Sequence, residues 1–243
     1  MLIPGLVSVT FRQLTVSEIG ELATECGLQA VEWGGDVHVP PGDFAAARKA
    51  LDTGLKVAAY GSYYRAGVSD RAELAPILET AAELDAPYVR VWAGRTGSEE
   101  CPDRAPVVEA LQHAVEHAEA MGTKIALEYH PNTLTDTLDS AVQLLDEVDG
   151  VVSYWQPVGG QDVFSAVHEV RTVEPVTVHV FSWGPGGFQD RLPLAGRRDL
   201  WKPVLTELGR DGIDRNVLLE FVLDDSPERF REDAKTLLGW LRQ

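Results

Sequence analysis

Four apolar runs in the second half of the chain each close on a side chain able to bind a cation or move a proton. They span 125–128, 151–156, 176–179 and 217–220, and close on Glu128, Gln156, His179 and Glu220. Each run reads as a buried strand with a ligand-type residue near its C-terminal end. A carboxylate deep in an apolar strand is costly unless it is paired or bound to a cation. Four such groups on four neighbouring strands point to one divalent-metal site, with Mn²⁺, Mg²⁺, Co²⁺ or Zn²⁺ as the candidate ion. The bland alternative for Glu128 and Glu220 is an ion pair with Arg90 or Arg12.

The elements that must carry these groups alternate strictly. Strands begin near positions 6, 29, 56, 87, 124, 151, 176 and 216, with helix-period segments between them, among them 17–26, 72–84, 106–121, 138–148 and 227–241. Thr15 and Glu18 have the spacing of a capping box. Ser226 followed by Pro227 is a good start for the last helix. Gly27, Gly54, Gly122 and Gly150 stand where helices should end. Eight strand–helix units imply a parallel sheet, and eight is the number that closes a barrel. The chain of 243 residues has the usual size of a (β/α)8 barrel. We therefore expect an α/β fold, a single (β/α)8 barrel domain spanning 1–243, with no linker or composition shift. The longest structureless stretches, 94–102 and 182–198, are expected on the active face. The Gly184-Pro185-Gly186-Gly187 run in the second of them reads as a flexible loop.

Period-two alternation puts Ala126, Glu128 and His130 on one face of the fifth strand and Val152, Tyr154 and Gln156 on one face of the sixth. Thr177, His179 and Phe181 share a face of the seventh; Leu218, Glu220 and Val222 share a face of the eighth. In a barrel these faces point inward, their polar members gathered at the C-terminal rim. The earlier strands add Thr10 and Arg12, then Glu32, Trp33, Asp36 and His38, then Tyr60, Tyr63, Tyr64 and Arg65, then Arg90 and Trp92. From these and from the later loops, Arg12, Glu32, Trp33, His38, Tyr60, Arg90, Trp92, His130 and Arg191 are the candidates to contact a substrate. Aromatic walls mixed with hydrogen-bonding groups suit a sugar or polyol rather than a hydrophobic ligand.

Composition excludes several classes. The 38 acidic against 21 basic residues give a net charge of −17, which repels nucleic acid and anionic membranes. Two distant cysteines, Cys26 and Cys101, supply neither a disulfide framework nor a zinc motif. No signal peptide or membrane span is read, so the cytoplasm is the expected location. A homo-oligomer is left open. There is no dinucleotide-binding glycine motif, no P-loop and no GxSxG.

The segments Leu127-Glu128-Tyr129-His130, Val178-His179-Val180-Phe181 and Leu219-Glu220-Phe221-Val222, in this order, resemble the xylose isomerase-like TIM-barrel superfamily. That group includes sugar phosphate isomerases/epimerases, ketose 3-epimerases, inosose dehydratases and endonuclease IV. In the ketose 3-epimerase branch, Glu, Asp, His and Glu from strands five to eight hold the metal, and the two Glu form the acid/base pair. The resemblance implies these roles for Glu128, His179 and Glu220. The sixth strand departs from it, since Gln156 stands where Asp is expected. An amide oxygen can coordinate Mg²⁺ or Mn²⁺ but brings no charge. The implied activity is a metal-dependent sugar or polyol isomerase or epimerase working through proton abstraction next to a carbonyl and an enediolate. A lyase or dehydratase, with His130 as the acid for a departing hydroxyl, is the alternative. A non-catalytic sugar-binding barrel is the third reading. Endonuclease activity fits neither the charge nor the ligand set.

Overall fold

The protein is described by a computed structural model covering residues 1–242. In chain order the elements are β1 (Leu2–Val7), α1 (Val16–Glu25), β2 (Ala30–Gly34), α2 (Phe44–Leu51), β3 (Lys56–Ala66), α3 (Leu74–Glu83), β4 (Tyr88–Ala93), α4 (Ala105–Ala120) and β5 (Lys124–Glu128). They continue with α5 (Leu138–Glu147), β6 (Val152–Trp155), α6 (Val163–Val173), β7 (Thr177–Val180), a short hairpin of β8 (Ser182–Trp183) and β9 (Arg191–Leu192), α7 (Arg198–Leu208), β10 (Arg215–Leu219) and α8 (Pro227–Leu241). The sheet closes in the order β1-β10-β7-β6-β5-β4-β3-β2. The expected α/β barrel of eight parallel strands is the observed fold, with β8 and β9 inserted as an antiparallel hairpin in the long loop after β7. Among the described residues no helix is long and apolar enough to cross a membrane.

The local signals act as read. Thr15 accepts from the Glu18 amide while Glu18 accepts from Thr15, the reciprocal capping box that starts α1. Ser226 accepts from the Arg229 amide and starts α8 behind Pro227. The first strand is the main difference. It begins at Leu2 rather than near Leu6, because Pro4 and Gly5 are tolerated inside it. A Cβ on Gly5 would stand 2.4 Å from the Ala30 carbonyl oxygen, so the close β1–β2 approach requires glycine.

Two layers share the burial. The larger apolar cluster lies between the barrel and its helices and takes the outward-facing strand residues, such as Val31, Trp33, Tyr60 and Trp155. Trp155 packs edge-on against Trp201 of α7, and Phe11 against Phe230 of α8 with ring centroids 5.4 Å apart. Burying a phenylalanine of this kind contributes about 2–3 kcal/mol. The barrel interior holds only small apolar sets, one of Ile3, Val7, Val9, Ala30, Ala58 and Leu218 and one of Ala59, Ala126 and Tyr154. Above them the interior turns polar, and that layer is the floor of the site.

Candidate active site

Glu32 of β2, Arg90 of β4, Glu128 of β5, Tyr154 of β6 and His179 of β7 meet inside the barrel. Arg90 lies between two carboxylates: Nε donates to Glu32 Oε1 at 2.8 Å and Nη1 to Glu128 Oε2 at 2.5 Å. The Tyr154 hydroxyl donates to Glu32 Oε2, and Trp92 Nε1 donates to Glu128 Oε2. Gly61 makes room for this pair, since a Cβ there would stand 2.5 Å from Glu32 Oε1. Burial opposes ionisation of both carboxyls. Arg90 and His179 outweigh it, lowering Glu32 to about 2 and holding Glu128 well below the usual carboxylate range. The Thr135 hydroxyl donates to the Glu128 carbonyl at 2.5 Å and fixes the end of β5.

His179 is fully buried, with Nε2 3.1 Å from Glu32 Oε2. An ionised carboxylate only accepts, so Nε2 carries a proton. Nδ1 lies 3.1 Å from Glu220 Oε2 and 3.4 Å from Glu128 Oε1. Burial disfavours the charged ring, yet Glu220, Glu32 and Glu128 outweigh it and raise its pKa well above the ordinary value. Gln156 donates its amide nitrogen to Glu128 Oε1 at 3.2 Å, which turns its own oxygen away from that carboxylate. Gln156 Oε1, His179 Nδ1 and Glu220 Oε2 are buried atoms that form no well-aligned hydrogen bond, the last two facing each other at 3.1 Å. Orphaned polar atoms of this kind are rare and ask for a missing partner. Together with Glu128 Oε1 they form an oxygen-rich set with one imidazole, which could hold Mn²⁺ or Mg²⁺. The carboxylate behind the imidazole is the partner that orients a ligating histidine. Among the described residues no three His, Cys, Asp or Glu side chains stand as a ready-made metal cage. Arg90 and Trp92 already occupy one Glu128 oxygen, and the fourth donor is an amide.

Above this floor opens a cavity of about 550 Å³. One side is built from Arg12, Tyr63, Arg90, Trp92 and His130, with Glu128, Gln156 and Glu220 at the bottom. Arg12 is held by Asp36 at 2.8 Å and by the Tyr63 hydroxyl at 2.6 Å. His130 stacks obliquely on Trp92, and its Nδ1 lies 2.6 Å from the Pro131 carbonyl, leaving Nε2 for the cavity. The other side is Trp183, Phe188 and Phe221, joined by Pro131, Pro157 and Val158.

Of the residues expected to contact substrate, Arg12, Arg90, Trp92 and His130 line the cavity. Glu32 lies beneath it, spent on Arg90, Tyr154 and His179. Trp33 faces the helices. His38 is buried with Nε2 on the Leu14 carbonyl, and the Tyr60 hydroxyl is spent on the Val39 carbonyl at 2.8 Å. Tyr60 turns outward because β3 carries a bulge: Val31 pairs with Val57 but Glu32 with Ala59, which reverses the parity of every later residue. Arg191 sits behind the aromatic wall, not in the cavity lining. The wall itself was missed. Trp183 and Phe188 come from a loop, and Phe221 reaches the cavity only because its φ of +49° turns the chain after Glu220. The cavity is therefore more apolar on one side than the expected polyol site.

The sequence profile of the Xylose isomerase-like TIM barrel family matches residues 21–243. A 3-dehydroshikimate dehydratase of Bacillus anthracis is 27% identical over 162 residues, 60% of this chain and 57% of that protein, so the match spans under two thirds of the relative. Among solved structures, the probable 3-DHS dehydratase of petrobactin synthesis from Bacillus anthracis superposes with a TM-score of 0.82 at 19% identity, covering 98% of this chain and 99% of that one. An L-ribulose 3-epimerase superposes with a TM-score of 0.72 at 16% identity, covering 100% of this chain and 95% of that one. With its eight-stranded barrel and the family profile matched from the first helix to the C-terminus, the chain belongs to the xylose isomerase-like TIM-barrel family.

Proposed function

We propose that this protein is a divalent-metal-dependent dehydratase that removes water from a small polyhydroxylated ketone. The observation that carries the reading is the inequality of its two glutamates. Both Glu128 oxygens are engaged, by Arg90 and Trp92 on one and Gln156 on the other, and Arg90 and His179 keep the group ionised against its burial. Glu128 therefore suits a ligand better than a proton carrier. Glu220 lines the cavity, and its Oε2 has only His179 Nδ1 close by, at 3.1 Å, with no donor on it of the kind that holds Glu128, so it is the more available base. A two-base epimerisation needs both glutamates to exchange protons, whereas elimination needs one base and one acid.

Glu128, Gln156, His179 and Glu220 would hold the cation, which would supply charge stabilisation at the substrate's carbonyl oxygen. Glu220 takes the proton from the carbon next to the carbonyl. The electron pair of that C–H bond moves onto the carbonyl oxygen, giving an enediolate or enolate. As the carbonyl re-forms, the bond to the β-hydroxyl breaks and His130 in its doubly protonated form, with Nδ1–H kept on the Pro131 carbonyl, gives that oxygen its Nε2 proton, so that water leaves. Arg90 and Glu32 keep Glu128 and His179 in place, and the aromatic wall keeps bulk water off the intermediate. The similarity in sequence to a 3-dehydroshikimate dehydratase supports a cyclic hydroxyketone as the first substrate to try.

The test is to load the protein with Mn²⁺ and incubate it with 3-dehydroshikimate and a panel of ketoses, following product mass. Loss of one water, abolished in Glu220→Gln by ~10²-fold or more, is expected. A product of unchanged mass would replace this reading with isomerisation or epimerisation. No Mn²⁺ binding, by metal analysis and thermal shift, would remove the metal from it.

A further inference from the structure

The hairpin that carries Trp183 and Phe188 is tied to the barrel at its root. Ser182 Oγ donates to the Leu194 carbonyl at 2.8 Å, and the Leu194 amide donates to Asp233 of α8 at 2.7 Å. Toward the tip the backbone is glycine-rich, and Phe188 is 46% exposed although it lines the cavity. The opposing segment after β10 is strained. Phe221, Asp224 and Asp225 all have left-handed φ, at +49°, +61° and +48°, without being glycine. Backbone of this kind persists only where its surroundings over-determine it.

Arg191 joins the two alongside the direct ring contacts that Phe221 makes with Trp183 at 5.3 Å and with Phe188 at 5.4 Å. Its Nη1 donates to Asp225 Oδ1 at 2.6 Å and to the Val222 carbonyl at 3.4 Å. Its guanidinium lies over the Phe188 ring at 4.3 Å and the Phe221 ring at 5.6 Å from the centroids. Behind Asp225, Gln13 Nε2 donates to the Asp225 carbonyl at 3.1 Å. One side chain on β9 thus touches two of the three rings of the wall, Phe188 and Phe221, and the strained turn that presents one of them. A planar guanidinium is suited to such stacking and pairing at once.

We propose that Arg191 is a positioning residue: it latches the β8–β9 hairpin to the turn after β10, and so sets Phe188 and Phe221 as the wall against which substrate is held above Glu128 and Glu220. Arg191 touches no substrate itself. The proposal rests on this cavity being the reaction site, and its first readout is independent of which reaction occurs there.

That readout is amide hydrogen exchange over 182–192 and 221–226 in the full-length protein. Arg191→Ala and Asp225→Asn should each speed exchange there by about tenfold, with the barrel strands unchanged. The double variant should be no faster than the worse single one, because both remove the same latch. Arg191→Lys, which keeps the charge but not the plane, should restore part of the protection. In the second readout the Mn²⁺-loaded Arg191→Ala protein acts on 3-dehydroshikimate. KM should rise by about tenfold with kcat nearly kept, since a wall contact serves ground and transition state alike, and Mn²⁺ affinity should be unchanged. Independent, additive effects of the two single variants on exchange would overturn the latch. So would exchange unchanged in Arg191→Ala, or a loss of Mn²⁺ affinity in parallel with protection. If 3-dehydroshikimate is not turned over by the parent, the dehydratase reading fails on that substrate while the exchange data still decide the latch.

Discussion

Replacing Glu32 by Gln tests whether the buried network below the cavity serves the site or only the barrel. Glu32 is fully buried and holds Arg90 at 2.8 Å, His179 at 3.1 Å and the Tyr154 hydroxyl. The amide keeps an acceptor oxygen and nearly the same volume but removes the charge that faces Arg90. Removing one partner of a buried ion pair costs ~3–5 kcal/mol, because the other charge is left uncompensated. Arg90 retains Glu128 at 2.5 Å, which puts the expected loss at the lower end, about 3 kcal/mol. For a domain of this size that is a fall in Tm of roughly 6–12 °C. The second consequence runs through His179. With an amide behind it, the ring loses the carboxylate that fixes its tautomer, and such partners are worth about 10–100-fold in metal affinity. Calorimetric melting and Mn²⁺ titration of parent and Glu32→Gln read the two effects separately. A variant that melts lower yet binds Mn²⁺ as tightly as the parent would show that Glu32 only neutralises Arg90. Unchanged melting would refute the burial argument altogether.

Gln156→Asp should tighten Mn²⁺ binding by placing a charge next to the cation, and Gln156→Leu should weaken it by removing an oxygen; equal affinities in a titration of all three proteins would take Gln156 out of the metal site. Asp233 offers a pH test away from the cavity. Burial raises its pKa from 3.8 to about 6, so its contribution to stability is fully present below 3.8 and is lost as pH rises through about 6. Asp233→Asn, whose amide oxygen can still accept from Leu194, should match the parent at pH 4 and exceed it at pH 7.5 by about 1–2 kcal/mol, allowing for solvent screening. Parallel denaturation curves at both pH values would contradict this.

What the sequence discloses follows from which forces are local. The heights of Glu128, Gln156, His179 and Glu220 follow from apolar runs that set both the face and the end of each strand. The fold follows from eight repeats of the same pattern. Tyr60 was misplaced because a single extra residue, between the Val31 and Glu32 pairings, leaves no mark in composition. The start of β1 was hidden by Pro4 and Gly5, which read as a turn until the Ala30 carbonyl is seen against Gly5. Phe221 belongs by alternation to the outer face and reaches the cavity through one left-handed residue. Glu32 and Arg90 were visible as candidates, but their pairing across 58 residues is a property of closure, and it turns one supposed substrate contact into support for His179.

That pairing also accounts for the neutral residue at the end of β6. Around His179 stand the carboxylates of Glu32, Glu128 and Glu220, against the single guanidinium of Arg90. The excess is two negative charges, which one dication balances if the imidazole is neutral. On the proposed reading Gln156 would complete the donor set with an oxygen and leave this balance intact. An aspartate in its place would add a third carboxylate beside Glu128 and Glu220, which the cation would offset but the metal-free protein would not. On this argument the amide does not mark a decayed site. Glu32 supplies a negative charge one layer below Gln156, where it faces His179 Nε2 at 3.1 Å and orients the ring.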